Sequence, residues 1–198
     1  MVEVVILQHP LEVDHAKGSA RLLHLSLPHS RLVTGEVFDP ALLQALLTAP
    51  LVPEASAARP RQALLLFPDT PEEKALGLSA PSVLAGDGLR DPAQWRLIVL
   101  DGTWRKSRKM LYQNPLLQRL PRLALREMPA SHYLIRKAHR PDQLSTLEAT
   151  CAALMQLEGQ AEKYQRLLTA FDGFVAQQLG YRARWRPGDG TLPHIVGK

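Results

Sequence analysis

Cysteine occurs once in the 198 residues, at Cys151. A single thiol rules out an internal disulfide and any zinc site built from several thiolates, and a cytosolic compartment is the simplest expectation. Long apolar runs are missing too. Apolar stretches such as Ala63 to Phe67 and Leu97 to Leu100 fall far short of the roughly 20 residues of a membrane-spanning helix. The N-terminus shows no positive leader and no cleavage site, its first apolar run being only Val4 to Leu7, so the chain is read as cytoplasmic with no membrane partner. No Gly-x-Gly-x-x-Gly follows a strand: Gly86 and Gly88 have no third partner, which argues against a Rossmann dinucleotide site. Walker loops and nucleophile elbows are likewise absent. The seven histidines are scattered, and the closest pairs (His9 and His15, His24 and His29, His132 and His139) lack a third donor at ligand spacing, so no metal is expected.

What is present is the balance of a soluble globular chain, 45% hydrophobic and 22% charged, long enough for one domain with at most a small appendage. Acid is scarce in one place. Between Arg105 and Arg140 ten basic residues face a single acid, Glu127, a local balance of +9, while the remaining 14 basic and 18 acidic residues leave −4 elsewhere. The net charge of +5 is therefore concentrated in one segment, and such a segment attracts polyanions, nucleic acid first among them. The plainer alternative is an Arg-rich solvated surface.

Brief apolar runs alternate with helix signals. Val2 to Gln8, Ala63 to Phe67, Arg96 to Leu100 and Arg122 to Leu125 read as buried strands. Asp39 and Pro40 open a helix through Leu47; Thr70, Pro71 and Glu73 form a capping box. Thr103 caps a helix to about Gln113, and Ser145 with Glu148 opens another through Leu157. A last helix is expected from Ala161 to Leu179, ended by Gly180. Ala20 to Pro28 fits helix or strand. Pro50 to Arg61 and Gly77 to Pro92 read as loops. Strands alternating with crossover helices predict an α/β domain with a mostly parallel sheet covered on both faces. Cys151, among Ala149, Ala152, Ala153 and Leu154, is expected to be a small core residue.

The informative segment runs from Leu97 to Met110. A buried strand delivers Asp101 at its C-terminal end, Gly102 permits a tight turn, and a helix opens under Thr103. In open α/β sheets ligands bind at that edge. Trp104 adds a flat surface, and Arg105, Lys106, Arg108 and Lys109 place four cations on the first two turns. An acid, an indole and a basic helix fit an RNA base held near a carboxylate; equally, Asp101 caps the turn, Trp104 is core and the cations are solvated.

Asp101-Gly102-Thr103-Trp104 resembles the Asp-x-Thr-Trp signature of the DTW-domain family, which is similar to tRNA-uridine aminocarboxypropyltransferases. Three more blocks agree in order: Leu7-Gln8-His9-Pro10 with Glu12 and Gly18-Ser19-Ala20-Arg21-Leu22-Leu23; Leu65-Leu66-Phe67-Pro68; and Tyr133-Leu134-Ile135-Arg136-Lys137 leading into Leu144-Ser145-Thr146-Leu147-Glu148-Ala149. The resemblance covers roughly residues 4 to 158. Many relatives carry a cysteine cluster ahead of the domain, and this chain shows none.

The resemblance implies a single SPOUT-like α/β domain over residues 1–180 with a knotted C-terminal region, followed by a basic and aromatic tail over 181–198. A knot would depart from the usual unthreaded topology. It implies S-adenosylmethionine as co-substrate, no metal, and tRNA as partner, with transfer of a 3-amino-3-carboxypropyl group to N3 of a uridine and release of methylthioadenosine. Asp101 and Trp104 become the catalytic candidates. Adenosine is placed near Leu66, Phe67, Pro68 and Leu125, and Ser19, Tyr133 and Ser145 around the methionine portion, with Thr103 and Glu148 completing the candidate set. A capping box alone accounts for Ser145 and Glu148 at about 1 kcal/mol. Arg105, Lys106, Arg108, Lys109, Arg136, Lys137 and Arg140 are expected to hold phosphates. Tyr181-Arg182-Ala183-Arg184-Trp185-Arg186 either extends the RNA surface or forms a terminal strand. The rival readings are a SPOUT-like RNA methyltransferase and a non-catalytic RNA-binding module.

Overall fold

The computed structural model describes residues 1–14, 18–51, 61–68, 91–123, 125 and 144–184. Five strands, β1 (Glu3–Gln8), β2 (Ser30–Thr34), β3 (Gln62–Leu66), β4 (Trp95–Asp101) and β5 (Arg122–Leu123), form one sheet in the order β2-β1-β4-β3-β5. Every pairing is parallel, so all five C-terminal strand ends lie on one edge. The helices are α1 (Ser19–Ser26), α2 (Pro40–Thr48), α3 (Trp104–Gln113), α4 (Pro115–Gln118), α5 (Thr146–Glu158) and α6 (Ala161–Arg184).

Side chains alternate across a strand, and here the two sets enter different cores. Val4, Ile6, Leu64, Leu97 and Val99 pack with Leu23 of α1, Leu147 and Leu154 of α5 and Phe171 of α6. Val5, Leu7, Leu65, Ile98 and Leu100 pack with Leu43 and Leu46 of α2 and Met110 and Leu111 of α3. Every residue of β1 and β4 is buried. That double burial accounts for the near-continuous apolar runs that mark these strands in the sequence. Each fully buried leucine contributes roughly 1.5–3 kcal/mol.

The β1–β4 register is fixed at its start by a buried ion pair. Glu3 and Arg96 are Cα partners; Arg96 Nε donates to Glu3 Oε2 at 2.9 Å and Arg96 Nη1 to the Leu46 carbonyl at 2.8 Å. Slipping the register by one residue would strand both charges in the interior.

Helix starts follow their caps. Asp39 Oδ1 accepts the Leu42 N–H at 2.9 Å, Thr103 Oγ1 the Lys106 N–H at 3.4 Å, and Ser145 and Glu148 form the reciprocal capping box. Gly159, at φ 66°, ends α5 in the left-handed conformation glycine favours. Residues 19–26 resolve as helix, with Ser19, Ala20 and Leu23 buried at helical spacing.

Two expectations are corrected. Gly180 does not end the last helix: α6 continues to Arg184, because Gly180 keeps a negative φ and a glycine in that conformation weakens a helix without breaking it. The backbone of residues 181–184 is therefore helical, not a terminal strand, and the helix crosses the expected boundary between domain and tail. Edge strand β2 has no counterpart in the sequence reading; it is half-exposed and five residues long. The capping box at Thr70, Pro71 and Glu73, most of both expected loops, and Trp185 and Arg186 lie outside the described residues.

Candidate active site

Asp101 ends β4 at the middle of the sheet's C-terminal edge and is only 1% exposed. Its side chain points to the face covered by α1, α5 and α6, where each oxygen accepts one hydrogen bond. Gln8 Nε2, at the end of β1, donates to Oδ2 at 3.0 Å; Thr146 Oγ1, in the first turn of α5, donates to Oδ1 at 2.6 Å. The Asp101 carbonyl accepts the His9 N–H at 2.9 Å, extending the ladder one step beyond β1. Gly102 then turns the chain tightly: a Cβ there would sit 3.1 Å from Lys106 Cβ and 3.4 Å from Ser107 Oγ.

Trp104 begins α3 and lies on the opposite face. It stacks on Phe67, with centroids 5.0 Å apart and planes inclined by 17°, and remains 41% exposed, the only exposed aromatic among the described residues. Phe67 is itself buried, with the Arg122 guanidinium 5.7 Å from its ring centroid. Leu66 and Leu125 instead join the core under α5 and α6 and stay partly exposed there.

The expected adenosine set is thereby divided. Leu66 and Leu125 pack on the α1/α5/α6 face, whereas Phe67, with Trp104 stacked on it, packs on the α2/α3 face. Phe67 follows the last residue of β3, so its ring and the Leu66 side chain lie on opposite sides of the sheet edge. Pro68 is exposed just beyond β3. Ser145 and Glu148 are buried and occupied by each other: Ser145 N donates to Glu148 Oε2 at 2.7 Å and Glu148 N to Ser145 Oγ at 3.2 Å. Ser19 is buried at the start of α1, whose N-cap, Gly18, supplies no side-chain acceptor. Tyr133, Arg136, Lys137 and Arg140 lie outside the described residues.

The basic helix carries less unpaired charge than its sequence implies. Lys106 Nζ reaches the buried Glu12 Oε1 at 3.0 Å, Lys109 Nζ pairs with Glu36 Oε1 at 2.8 Å, and Arg108 lies against Tyr112, donating to its hydroxyl at 3.1 Å. Arg122 is interior. Arg105 is exposed, and the Lys109 side chain is 56% exposed, so these two offer charge to solvent most directly.

Sequence reasoning assigned no role to Gln8, Thr146, His9 or Glu36. His9 Nδ1 accepts the Leu11 N–H at 3.2 Å, so Nε2 carries the ring proton and donates to Glu36 Oε2 at 2.6 Å. Lys109 first and His9 second hold the Glu36 carboxyl below the usual range. Gln8 and His9 stand in a quoted motif, but only the β1–β4 pairing shows what they touch. Cys151 is fully buried, and burial followed by the nearby Glu148 charge pushes its thiol up to about 12, the state of an inert core residue. No cluster of metal-ligating residues occurs among the described residues, and no helix among them is long and apolar enough to cross a membrane.

The DTW domain family model matches residues 1–179. A relative from Drosophila melanogaster, tRNA-uridine aminocarboxypropyltransferase 2, is 30% identical over 183 residues, covering 89% of this chain and 64% of its own. The protein of the same name from Macaca fascicularis is 26% identical over 190 residues, 91% of this chain and 56% of its own. The chain thus spans about three-fifths of the length of these two relatives. No solved structure matches. With the Asp101-Gly102-Thr103-Trp104 turn at the C-terminal edge of a parallel sheet and a family match over nearly its whole length, the chain belongs to the DTW-domain family.

Proposed function

We propose that this chain transfers the 3-amino-3-carboxypropyl group of S-adenosylmethionine to N3 of a uridine in tRNA, releasing methylthioadenosine. Family membership and the names of the two relatives support the reaction class. The observation that carries it here is the placement of Asp101, buried at the end of the central strand between an aliphatic ledge on one face and an exposed indole on the other.

The ledge suits the donor. Leu66 and Leu125 present partly exposed aliphatic surface on the face to which Asp101 points, and the first turn of α1 at Ser19, with no side-chain cap, offers backbone N–H groups to a carboxylate. Tyr133 and Ser145 complete the proposed surroundings of the methionine portion, with Pro68 and Thr103 at the rim and Glu148 holding Ser145 in place. Bound there, S-adenosylmethionine supplies a sulfonium whose three attached carbons are all electrophilic. In the reaction the uridine N3–Cγ bond forms, the Cγ–S bond breaks, and the N3 proton leaves.

The protein's part is selection and orientation, since effective molarity depends on holding the γ-carbon in line between base and sulfur. Asp101 accepts the N3–H, as base or as hydrogen-bond acceptor: a carboxylate has about four lone-pair sites, and Gln8 and Thr146 use one on each oxygen. Trp104, on the face of α3, stacks with the uridine base rather than with the donor. Arg105, Lys106, Arg108, Lys109, Arg136, Lys137 and Arg140 bind phosphates, Lys106 and Lys109 by exchanging their carboxylate partners.

The fold is proposed to be SPOUT-like with a knotted C-terminal region. In support, the chain leaves β5 at the edge of the sheet and returns with Thr146 to the end of β4, two strands inward. Cytoplasmic residence is part of the same proposal, supported by tRNA as the proposed substrate.

Incubation with unmodified tRNA and S-adenosylmethionine, followed by mass spectrometry of nucleosides and small molecules, tests the reading. Methylthioadenosine with aminocarboxypropyl-uridine is the expected outcome. S-adenosylhomocysteine with a methylated nucleoside would make the chain a methyltransferase, and tRNA binding without turnover would make it a binding module.

A further inference from the structure

We infer that Gln8 and Thr146 are positioning residues that lock the plane of the Asp101 carboxylate and so aim its remaining lone pairs at the substrate. The activity arm of this inference rests on the function proposed above; its structural arm does not.

The terminal torsion of an aspartate is broad, because rotation about a bond to a planar carboxylate meets only a low barrier. One hydrogen bond leaves that rotation largely open. Two donors on different oxygens close it, since turning the plane breaks one bond or the other. Asp101 has that arrangement, and its donors come from separate elements. Gln8 is its direct Cα partner across the β1–β4 ladder, so the 3.0 Å bond from Nε2 to Oδ2 is set by strand register. Thr146 follows the N-cap of α5, so the 2.6 Å bond from Oγ1 to Oδ1 is set by the capping box of Ser145 and Glu148. Threonine is apt here because its branched side chain is stiff at χ1. Gln8 and Asp101 are 5% and 1% exposed, so water does not readily replace a lost donor, and an unmade bond there is costly.

The arrangement also links the two ends of the proposed reaction. Ser145, proposed to face the methionine portion, precedes Thr146 directly, so displacing the start of α5 turns the carboxylate.

The test uses the full chain with three substitutions: Thr146→Val, which keeps the shape and removes the donor, Thr146→Ser, which restores it, and Gln8→Met. Under saturating donor and tRNA, Thr146→Val is expected to lower kcat by up to about 100-fold, the scale of an ångström-level misplacement, with KM for tRNA within about twofold of wild type. Thr146→Ser recovers most of the rate, and Gln8→Met resembles Thr146→Val. A Thr146→Val enzyme with wild-type kcat overturns the inference. Should wild type itself transfer nothing, the proposed function fails, and crystal structures of wild type and Thr146→Val still decide the inference: a rotated Asp101 carboxylate supports it, and an unchanged one overturns it.

Discussion

Trp104 lies nearly flat on Phe67, at 5.0 Å between ring centroids, and the stack fixes the indole so that its exposed surface is held before any ligand arrives. An aromatic pair of this kind contributes about 0.5–1.5 kcal/mol, whereas a nucleobase stacked on an aromatic side chain contributes about 1–3 kcal/mol. Trp104→Ala should therefore weaken binding of tRNA roughly tenfold or more while leaving affinity for methylthioadenosine nearly unchanged, and Trp104→Phe should retain most of the binding. Isothermal titration with each ligand separates the two faces; loss of methylthioadenosine binding instead would place the donor on Trp104.

Asp101→Asn is expected to abolish transfer with tRNA affinity nearly intact. The fold should survive, because the new amide still accepts from Thr146 and, after a flip of the Gln8 amide, donates to it, at a cost of about 1 kcal/mol. Thermal unfolding alongside single-turnover rates checks both halves, and a fully active Asn variant would remove Asp101 from the chemistry.

Arg105 and Lys109 should dominate the salt dependence of tRNA binding from helix α3. Each phosphate contact removed lowers the slope of log K against log salt by about 0.7–0.9, so Arg105→Ala is expected to reduce it by one such step. The Arg108 guanidinium is engaged with Tyr112, so Arg108→Ala should change the slope less. Filter binding across a salt series measures both; equal slopes for Arg105→Ala and wild type would exclude Arg105 from the phosphate contacts.

Glu158 ties three parts of the chain together. Its oxygens accept from Val2 N at 2.7 Å, Lys163 Nζ at 2.8 Å and the Tyr164 hydroxyl at 2.7 Å. Burial alone would raise its carboxyl, but these three donors outweigh it and hold the group below its ordinary value. A carboxyl lowered in the folded state contributes stability that is fully present above the unfolded value of about 4.3 and is lost as pH falls through the folded value. Glu158→Gln should cost about 2 kcal/mol near neutrality, a Tm drop of roughly 4–8 °C for a chain of this size. The gap between wild type and variant should close progressively below about pH 4, as melting curves over a pH series would show.

Local chemistry was legible in the sequence wherever a signal lay within a few residues. The Thr103 cap, the Ser145 and Glu148 box and the Asp39-Pro40 start all appear as read, since a cap and the N–H it serves are three residues apart. Contacts made by topology were not. Gln8 and Asp101 are 93 residues apart, and nothing local says that β1 lies beside β4. Leu66 and Phe67 are neighbours whose side chains lie on opposite faces, as strand alternation dictates. Composition counts the charges of the +9 segment but carries no information about their partners. Glu12 and Glu36, which neutralise Lys106 and Lys109, come from after β1 and after β2.

The division of the sheet edge into two faces has a kinetic meaning. A small molecule on the Leu66 and Leu125 side and a base on the Trp104 side would approach along separate routes that converge over the Asp101 turn, where N3 and the γ-carbon must come into contact for transfer. Neither would obstruct the other's entry, so the two substrates should bind in either order, and product inhibition by methylthioadenosine should be noncompetitive with respect to tRNA.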